Sequence, residues 1–560
     1  MASPIIVSQA KRVHYKDWPN SQGFDVSYEE RDPIELEIEG SIPAFAAGIL
    51  FRTGLGIRNI EAENGKLFRV HHWFDNLAQV HRFQIHPPSI PGEAVRVTYN
   101  SRSTCDGLIE KIRATGHRDG VTFGAKYDPC MSLFQKVRVR ERPTKPDALS
   151  VAVTITSNYP GLSRNGEKLE KPSVKGKIQS LCNRTDTDAI QFLDPETLEP
   201  IGVASQTTLH PLLRGPSSAT HSSTDLNGDV YNYNLDFMNG QGVYRVFRVS
   251  ACTGHTSILA TITDNPAYIH STLLTEHYMI LCVWNAHYAF GGASILWTKN
   301  IVDALADYDP DRPCRWYVID KRPLEAGGGL VATFESDPFF CFHTINAYEE
   351  VDKDGKVDII ADLVAYENLD ILKRLYIENL ISNSSTAVDF STLPTCQPQI
   401  RRFTLANVEG QMTDKFGVFP GDESVGLEAT STLLSLKNLT PELPTINPSM
   451  LLKKHRFVYG VLHTGKSTLF DSIVKYDVSS QTAKMWSKHG HTPGEPIFVA
   501  DPTGTGEEDE DVGILLSVVL DGVGGKSYLL VLDARTMEEI GKAKVPGVIG
   551  FGFHGTHVPC

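Results

Sequence analysis

Short runs in which apolar and polar residues alternate recur along most of the chain. Val95-Arg96-Val97-Thr98-Tyr99, Ser150 to Ile155, Val230-Tyr231-Asn232-Tyr233-Asn234, Tyr278 to Val283 and Tyr528 to Leu532 all keep a period of two. That period sends successive side chains to opposite faces of an extended strand. Turn formers bound the runs at Asn227-Gly228-Asp229, Asp354-Gly355 and Gly522 to Gly525, so the pattern predicts strands joined by hairpins. A weak repeat goes further. Ile190 to Thr197, Ile473 to Ser480 and Leu530 to Thr536 each read as an alternating strand that ends in Asp (Asp194, Asp477, Asp533) and enters a short polar turn. An Asp at that place can accept hydrogen bonds from the turn's own N–H groups. Such units, repeated from about residue 45 onward, predict an all-β propeller in preference to a sandwich.

Helical periodicity is scarce. It predicts helices over Thr104–Thr115 and Asn368–Leu380, while Ser382–Pro398 reads as a loop and Thr503–Asp511 as an acidic surface turn. Nothing in the composition marks a linker. Residues 1–560 therefore read as one propeller domain, with residues 1–40 an N-terminal extension packed on or near it.

Composition narrows the function. With 41% hydrophobic and 21% charged residues the chain is an ordinary globular one. A net charge of −14 speaks against broad nucleic-acid binding, which needs a basic surface. The nine cysteines are scattered, form no CxxC pair, and in Leu281-Cys282-Val283 and Phe340-Cys341-Phe342 lie in apolar runs. Buried, reduced thiols are expected, as in a cytosolic protein. Met1 to Tyr15 has no apolar signal segment and no run of apolar residues is long enough to span a bilayer. A cytoplasmic location with peripheral membrane contact at most is the expectation, and the sequons at Asn183, Asn383 and Asn438 then carry no meaning.

Gly460-Val461-Leu462-His463-Thr464-Gly465-Lys466-Ser467 matches the phosphate-loop pattern letter for letter. That loop needs a following helix whose N–H groups face the phosphates, and Leu469 to Val478 reads as a strand. No nucleotide is expected.

The nineteen histidines are more informative. His14, His117, His255, His489 and His491 lie in polar segments and read as solvated. The adjacent His71 and His72 face opposite sides of a strand and cannot share a metal. His221, His270, His343 and His554 each stand where an apolar strand meets a turn. They lie 49, 73 and 211 residues apart in succession, gaps that suit different blades sending inner strands to one axis. His277, His287 or His463 could replace any of them on this reading. Four neutral imidazoles suit a first-row transition metal.

At these residues the chain resembles the carotenoid cleavage oxygenases, above all their fungal apocarotenoid- and torulene-cleaving branch. The resemblance runs through Gly48 to Gly54, His72-Trp73-Phe74-Asp75, Tyr127-Asp128-Pro129-Cys130, Leu193 to Leu198, Gly494 to Val499 and Gly552-Phe553-His554-Gly555. It implies a seven-bladed propeller with a few short helices and loops capping the metal-containing face. It also implies one Fe(2+) per chain held by His221, His270, His343 and His554. Three carboxylates behind these ligands would be Glu442, Glu495 and Asp186, the last standing where the family has a glutamate. A carboxylate one methylene shorter predicts a bridging water to its imidazole.

The implied reaction is non-haem iron dioxygenase cleavage of a C=C bond in a carotenoid or apocarotenoid, with O2 giving two aldehydes. The alternative is aromatic alkene cleavage, on stilbenes such as resveratrol or on isoeugenol-type phenols. Stilbene-cleaving members carry Lys where this chain has Thr185, beside the carboxylate in the substrate pocket. Thr lacks that charged donor, which ranks an apolar polyene first. Lys126 and Tyr127 could hold a phenol but read as turn residues. An isomerase that keeps the carbon skeleton and a non-enzymatic scaffold are further alternatives. Lys136-Val137-Arg138-Val139-Arg140 could rest on anionic headgroups.

Overall fold

The alternating runs pair into seven sheets of four to six strands each, antiparallel except where Leu427–Glu428 joins Gly329–Ser336 in parallel, with one extra two-stranded hairpin, Asn59–Glu61 with Leu67–Arg69. This is a computed structural model, and it describes residues 17–560 except 91, 127–144, 170–175, 238–239, 388–389, 391–392, 412–426, 505 and 507–508. Taken in chain order, blade I covers 48–103, II 154–205, III 223–264, IV 273–336, V 340–433, VI 442–486 and VII 491–544. Leading strands of neighbouring blades touch, III on IV, IV on V and V on VI, so they line a common axis. The arrangement is a seven-bladed β-propeller.

Two strand exchanges close the ring. Gly555–Pro559 pairs with Gly48–Leu55 and becomes the leading strand of blade I. Glu37–Gly40 pairs with Glu539–Lys544 at the outer edge of blade VII, and Ile34–Glu35 pairs with Arg96–Ser103 in blade I. Residues 34–40 of the N-terminal extension are therefore woven into two blades, and Trp18 and Phe24 ahead of them are buried.

Blades stack face to face, so their middle strands are covered on both sides. In Val230–Asp236 all but the last residue is buried, including the polar members of the alternation. Asn232 donates to the Ala219 carbonyl and Asn234 to Gln206 and the Gly215 carbonyl, so burial costs these amides little. The repeated Asp does what its position suggested. Asp194 Oδ1 accepts the N–H groups of Glu196 and Thr197, Asp477 Oδ1 those of Ser479 and Ser480, and Asp533 Oδ1 those of Arg535 and Thr536. Four residues after each Asp the backbone turns left-handed, at Leu198 (φ 60°), Gln481 (φ 54°) and Met537 (φ 66°).

The helix over Asp106–Thr115 forms and stops at Gly116, which takes a φ of 76°. The expected helix over Asn368–Leu380 is instead two short ones, Asp370–Arg374 and Ile377–Leu380. Between them Trp73 N–H bonds to the Leu375 carbonyl and Tyr376 bridges to His72, and this competing pairing breaks the helical ladder. The phosphate-loop lookalike is a strand, Phe457–Leu462, followed by a turn and then the strand Ser472–Asp477. Its N–H groups at Thr464, Lys466 and Ser467 point at the Asp471 carboxylate. The eight described cysteines are free thiols, and Cys282 and Cys341 are buried.

Candidate metal centre

Three of the four histidines stand immediately before a leading strand. His221 precedes Ser223–Thr224 of blade III, His270 precedes Leu273–Leu274 of blade IV, and His554 precedes Gly555–Pro559 of blade I. His343 lies inside Phe340–Val351 of blade V. There the pairing slips register between Cys341 and Thr344 and again between Thr344 and Asn346. Bulges of this kind re-aim a side chain. The glycines around His554 are needed for close passage, since a Cβ on Gly552 would stand 1.6 Å from the Thr53 carbonyl oxygen.

One ligand atom from each of His221, His270, His343 and His554 lies within 4.8 Å of the others. The Nε2 atoms of His343 and His554 are 3.3 Å apart, and the ring centres of His221 and His554 are 4.2 Å apart. His270, His343 and His554 are buried and His221 nearly so.

Three carboxylates hold three of these rings by the opposite nitrogen. Asp186 Oδ1 accepts from His270 Nδ1 at 2.9 Å, Glu442 Oε2 from His343 Nδ1 at 2.7 Å, and Glu495 Oε1 from His554 Nδ1 at 2.7 Å. With Nδ1 donating, each Nε2 keeps its lone pair. Asp186 thus reaches its imidazole directly, without the water that its length suggested. Its loop is drawn in because its backbone carbonyl accepts from Ser218 N–H and from Ser217 Oγ, on the segment leading to His221.

Each carboxylate also has a second donor that was not anticipated. Tyr268 Oη donates to Asp186 Oδ2 at 3.0 Å, Tyr366 Oη to Glu442 Oε1 at 2.6 Å, and Arg52 to Glu495 Oε2 at 3.0 Å. The signal for Tyr268 was present: it lies two residues before His270, and both side chains reach Asp186. Tyr366 and Arg52 come from other elements, and no local spacing ties them to the site.

The electrostatics favour neutral rings. Burial, and then the surrounding imidazoles of His554, His270 and His343, push His221 well below the ordinary imidazole range. Burial also lowers His554 against the opposing pull of Glu495. Burial alone would raise Glu442, but His343, Tyr366 and the Leu443 N–H together hold it below the ordinary carboxyl value. His221 Nε2 is buried and has no hydrogen-bond partner among the described residues. A buried lone pair aimed among three others is what a cation would satisfy, and an all-nitrogen donor set suits a first-row transition metal.

The other histidines fall outside the cluster. His72 is buried, with Nδ1 accepting from Phe74 N–H and Nε2 against the Leu372 carbonyl. His277 binds Glu349 at the surface, His287 is buried elsewhere, and His463 faces the Ser467 carbonyl. His117, His255 and His489 are not buried, whereas His491, expected in solvent, is buried under Trp18 and Tyr528.

A cavity of about 810 Å³ opens beside the cluster, lined by His270, His343 and His554 and by the rings of Trp73, Phe74, Phe342, Tyr366, Phe470 and Phe553. Phe74 sits at the centre of this wall, 5.0 Å from Phe553 and 5.4 Å from Phe342 between ring centres. A second cavity of about 430 Å³ shares Trp73, Leu443, Leu469 and Phe470 with it. Thr185 is half-buried next to Asp186 and is not among the residues that line either cavity. Lys126 pairs with Glu378 and lies over the Tyr376 ring, also away from the lining. Tyr127 and the Lys136–Arg140 segment lie outside the described residues.

Comparison with known proteins places this geometry. Residues 23–559 match the family described as RPE65, retinal pigment epithelial membrane protein. A carotenoid dioxygenase of Neurospora crassa is 39% identical, over 97% of this chain and 92% of its own. A torulene dioxygenase of Gibberella fujikuroi is 38% identical, over 97% and 94%. The mitochondrial carotenoid-cleaving dioxygenase of Homo sapiens is 28% identical, over 94% and 88%. Among solved structures, cobalt-substituted Synechocystis ACO superposes with a TM-score of 0.71 at 20% identity, covering 98% of this chain and 99% of that one. A chain of this length that matches the family almost end to end belongs to it: this protein is a member of the RPE65 family of carotenoid oxygenases.

Proposed function

We propose that the protein is a non-haem iron dioxygenase that cleaves one C=C bond of a carotenoid or apocarotenoid, with the whole chain acting as a single propeller domain. His221, His270, His343 and His554 would hold one Fe(2+), steadied from behind by Asp186, Glu442 and Glu495. Ferrous iron supplies the redox chemistry that lets O2 react with an electron-rich double bond. The residues do the rest. Carboxylate-bound imidazoles hold their Nε2 lone pairs in place. The aromatic wall around Phe74 orients a flat polyene and keeps water out. The overall change is one alkene and one O2 giving two carbonyl compounds, so both oxygen atoms are accounted for.

The observation that carries this reading is the convergence of four imidazoles, three of them buried, on the end of an aromatic cavity. Its test is aerobic incubation of anaerobically iron-loaded protein with panels of carotenoids, apocarotenals, stilbenes and propenylphenols under isotopically labelled dioxygen. Aldehyde pairs from a polyene, each carrying label, are expected. Turnover of phenols alone would move the substrate to aromatic alkenes, and an intact carbon skeleton would mean an isomerase.

Peripheral membrane contact is part of the proposal. No helix among the described residues is long and apolar enough to cross a membrane. Phe290 is 79% exposed and Trp297 41%, their ring centres 5.7 Å apart, with Leu296 beside them. Phe290 has a φ of 53°, a strained state for an aromatic residue at the surface. The segment is tied inward, because Val302 N–H bonds to the Phe123 carbonyl and the Phe123 ring packs on Phe74. Rings presented this way suit the headgroup region from which an apolar substrate would enter.

A further inference from the structure

The cavity wall contains one charge that the proposed chemistry leaves unused. Arg374 ends the helix Asp370–Arg374, lines the cavity, and is 6% exposed. Its Nε has no hydrogen-bond partner among the described residues. Its one hydrogen bond among the described residues is a long one, from Nη2 to the Thr468 carbonyl at 3.4 Å. It forms no ion pair among the described residues. Arg52, buried to the same degree, is held by Glu495, and Lys437, also on the cavity wall, is held by Glu367. A guanidinium has five N–H donors in a rigid fork and stays charged. Leaving it buried and largely unpaired is costly.

We infer that Arg374 is the docking point for the polar end of the substrate, and that this end is a carboxylate. This rests on the oxygenase reading and deepens it, because it assigns the substrate class as a polyene acid rather than a hydrocarbon. A carboxylate matches the fork with two parallel hydrogen bonds and neutralises its charge, which an aldehyde oxygen cannot do. The rest of the chain then lies along Phe74, Phe342 and Phe553 toward the histidines. The length between the acid end and the four imidazoles selects the double bond that is cut.

The test is binding to iron-loaded protein under anaerobic conditions, read by quenching of tryptophan fluorescence. Trp73 lines the cavity, so a ligand seated there quenches it. The probes are retinoic acid, retinal and the oxygen-free hydrocarbon of the same skeleton. Wild type should prefer the acid. Arg374→Met should weaken acid binding roughly 30-fold or more while leaving the hydrocarbon unchanged, since a buried charge partner is lost. Arg374→Lys should recover part of the preference. Without ligand, Arg374→Met should also raise the thermal midpoint, because it removes an unpaired buried cation. Equal affinity for acid and hydrocarbon in the wild type, or a lowered midpoint with the acid preference intact, would overturn the inference. Carotenoid cleavage without acid preference would count against Arg374 and leave the oxygenase standing. An acid preference abolished in Arg374→Met, in a protein that cleaves no polyene, would do the reverse.

Discussion

Asp186, Glu442 and Glu495 do similar work from different surroundings, and removing each should cost differently. Tyr268 Oη lies 3.0 Å from His270 Nδ1 as well as from Asp186. When Asp186 is replaced by Ala, the tyrosine oxygen can still accept from that ring. Tyr366 has no comparable contact with His343. Asp186→Ala is therefore expected to lower metal affinity about 10-fold and Glu442→Ala closer to 100-fold, within the usual range for such groups. Competition with a chromogenic chelator measures both. His72 gives a pH test away from the metal. Burial pushes its pKa from the ordinary 6.5 down to about 4, so the folded protein holds it neutral while the unfolded chain protonates it. Stability from this residue is intact above pH 6.5 and falls as pH drops toward 4, by on the order of 3 kcal/mol in all. His72→Gln should flatten the fall of the thermal midpoint over that window. At this scale the four histidines were legible as candidates because each stands where an apolar run meets a turn in the sequence, and the resemblance singled them out from His277, His287 and His463. The tyrosine and arginine partners were not, apart from Tyr268, because their targets lie on other blades.

The hairpins that follow Asp194, Asp477 and Asp533 share both their carboxylate cap and their left-handed residue. A non-glycine residue pays for that conformation, so Gln481→Gly, at an exposed turn, should stabilise the protein by roughly 1 kcal/mol. A denaturant melt at fixed pH measures it. The segment Ala289–Thr298, which carries the proposed membrane contact, should behave in the opposite sense to a turn of this kind. Phe290→Asp should leave the midpoint unchanged and abolish co-sedimentation with neutral liposomes; unchanged sedimentation would remove membrane contact from the proposal. The strand–Asp–turn units were readable because they are local. The break between Asp370–Arg374 and Ile377–Leu380 was not, since Tyr376 pairs with His72, some three hundred residues earlier.

Across the whole molecule, every blade contributes one group to the centre. Blades I, III, IV and V bring His554, His221, His270 and His343, and blades II, VI and VII bring Asp186, Glu442 and Glu495. Arg52 and Glu495 link blades I and VII on the inner side, 3% and 8% exposed in their side chains. Arg52→Met strands the Glu495 charge and should destabilise the protein by about 3–5 kcal/mol, read from guanidinium unfolding. A propeller was legible from the repeats, but the number of blades came from the resemblance. Blades IV and V each carry two short helices between their middle strands, and insertions of that size hide a period. The weaving of residues 34–40 into two blades left no local trace either, because its partners lie at the far end of the chain.

The ring has a kinetic corollary. Since the imidazoles are far apart in sequence and meet only when blades I, III, IV and V are seated, no partly folded intermediate lacking any one of them offers a complete set of donors. A metal held as proposed would therefore arrive last, favour the finished state by mass action, and its rate of capture would report how fast the circle shuts.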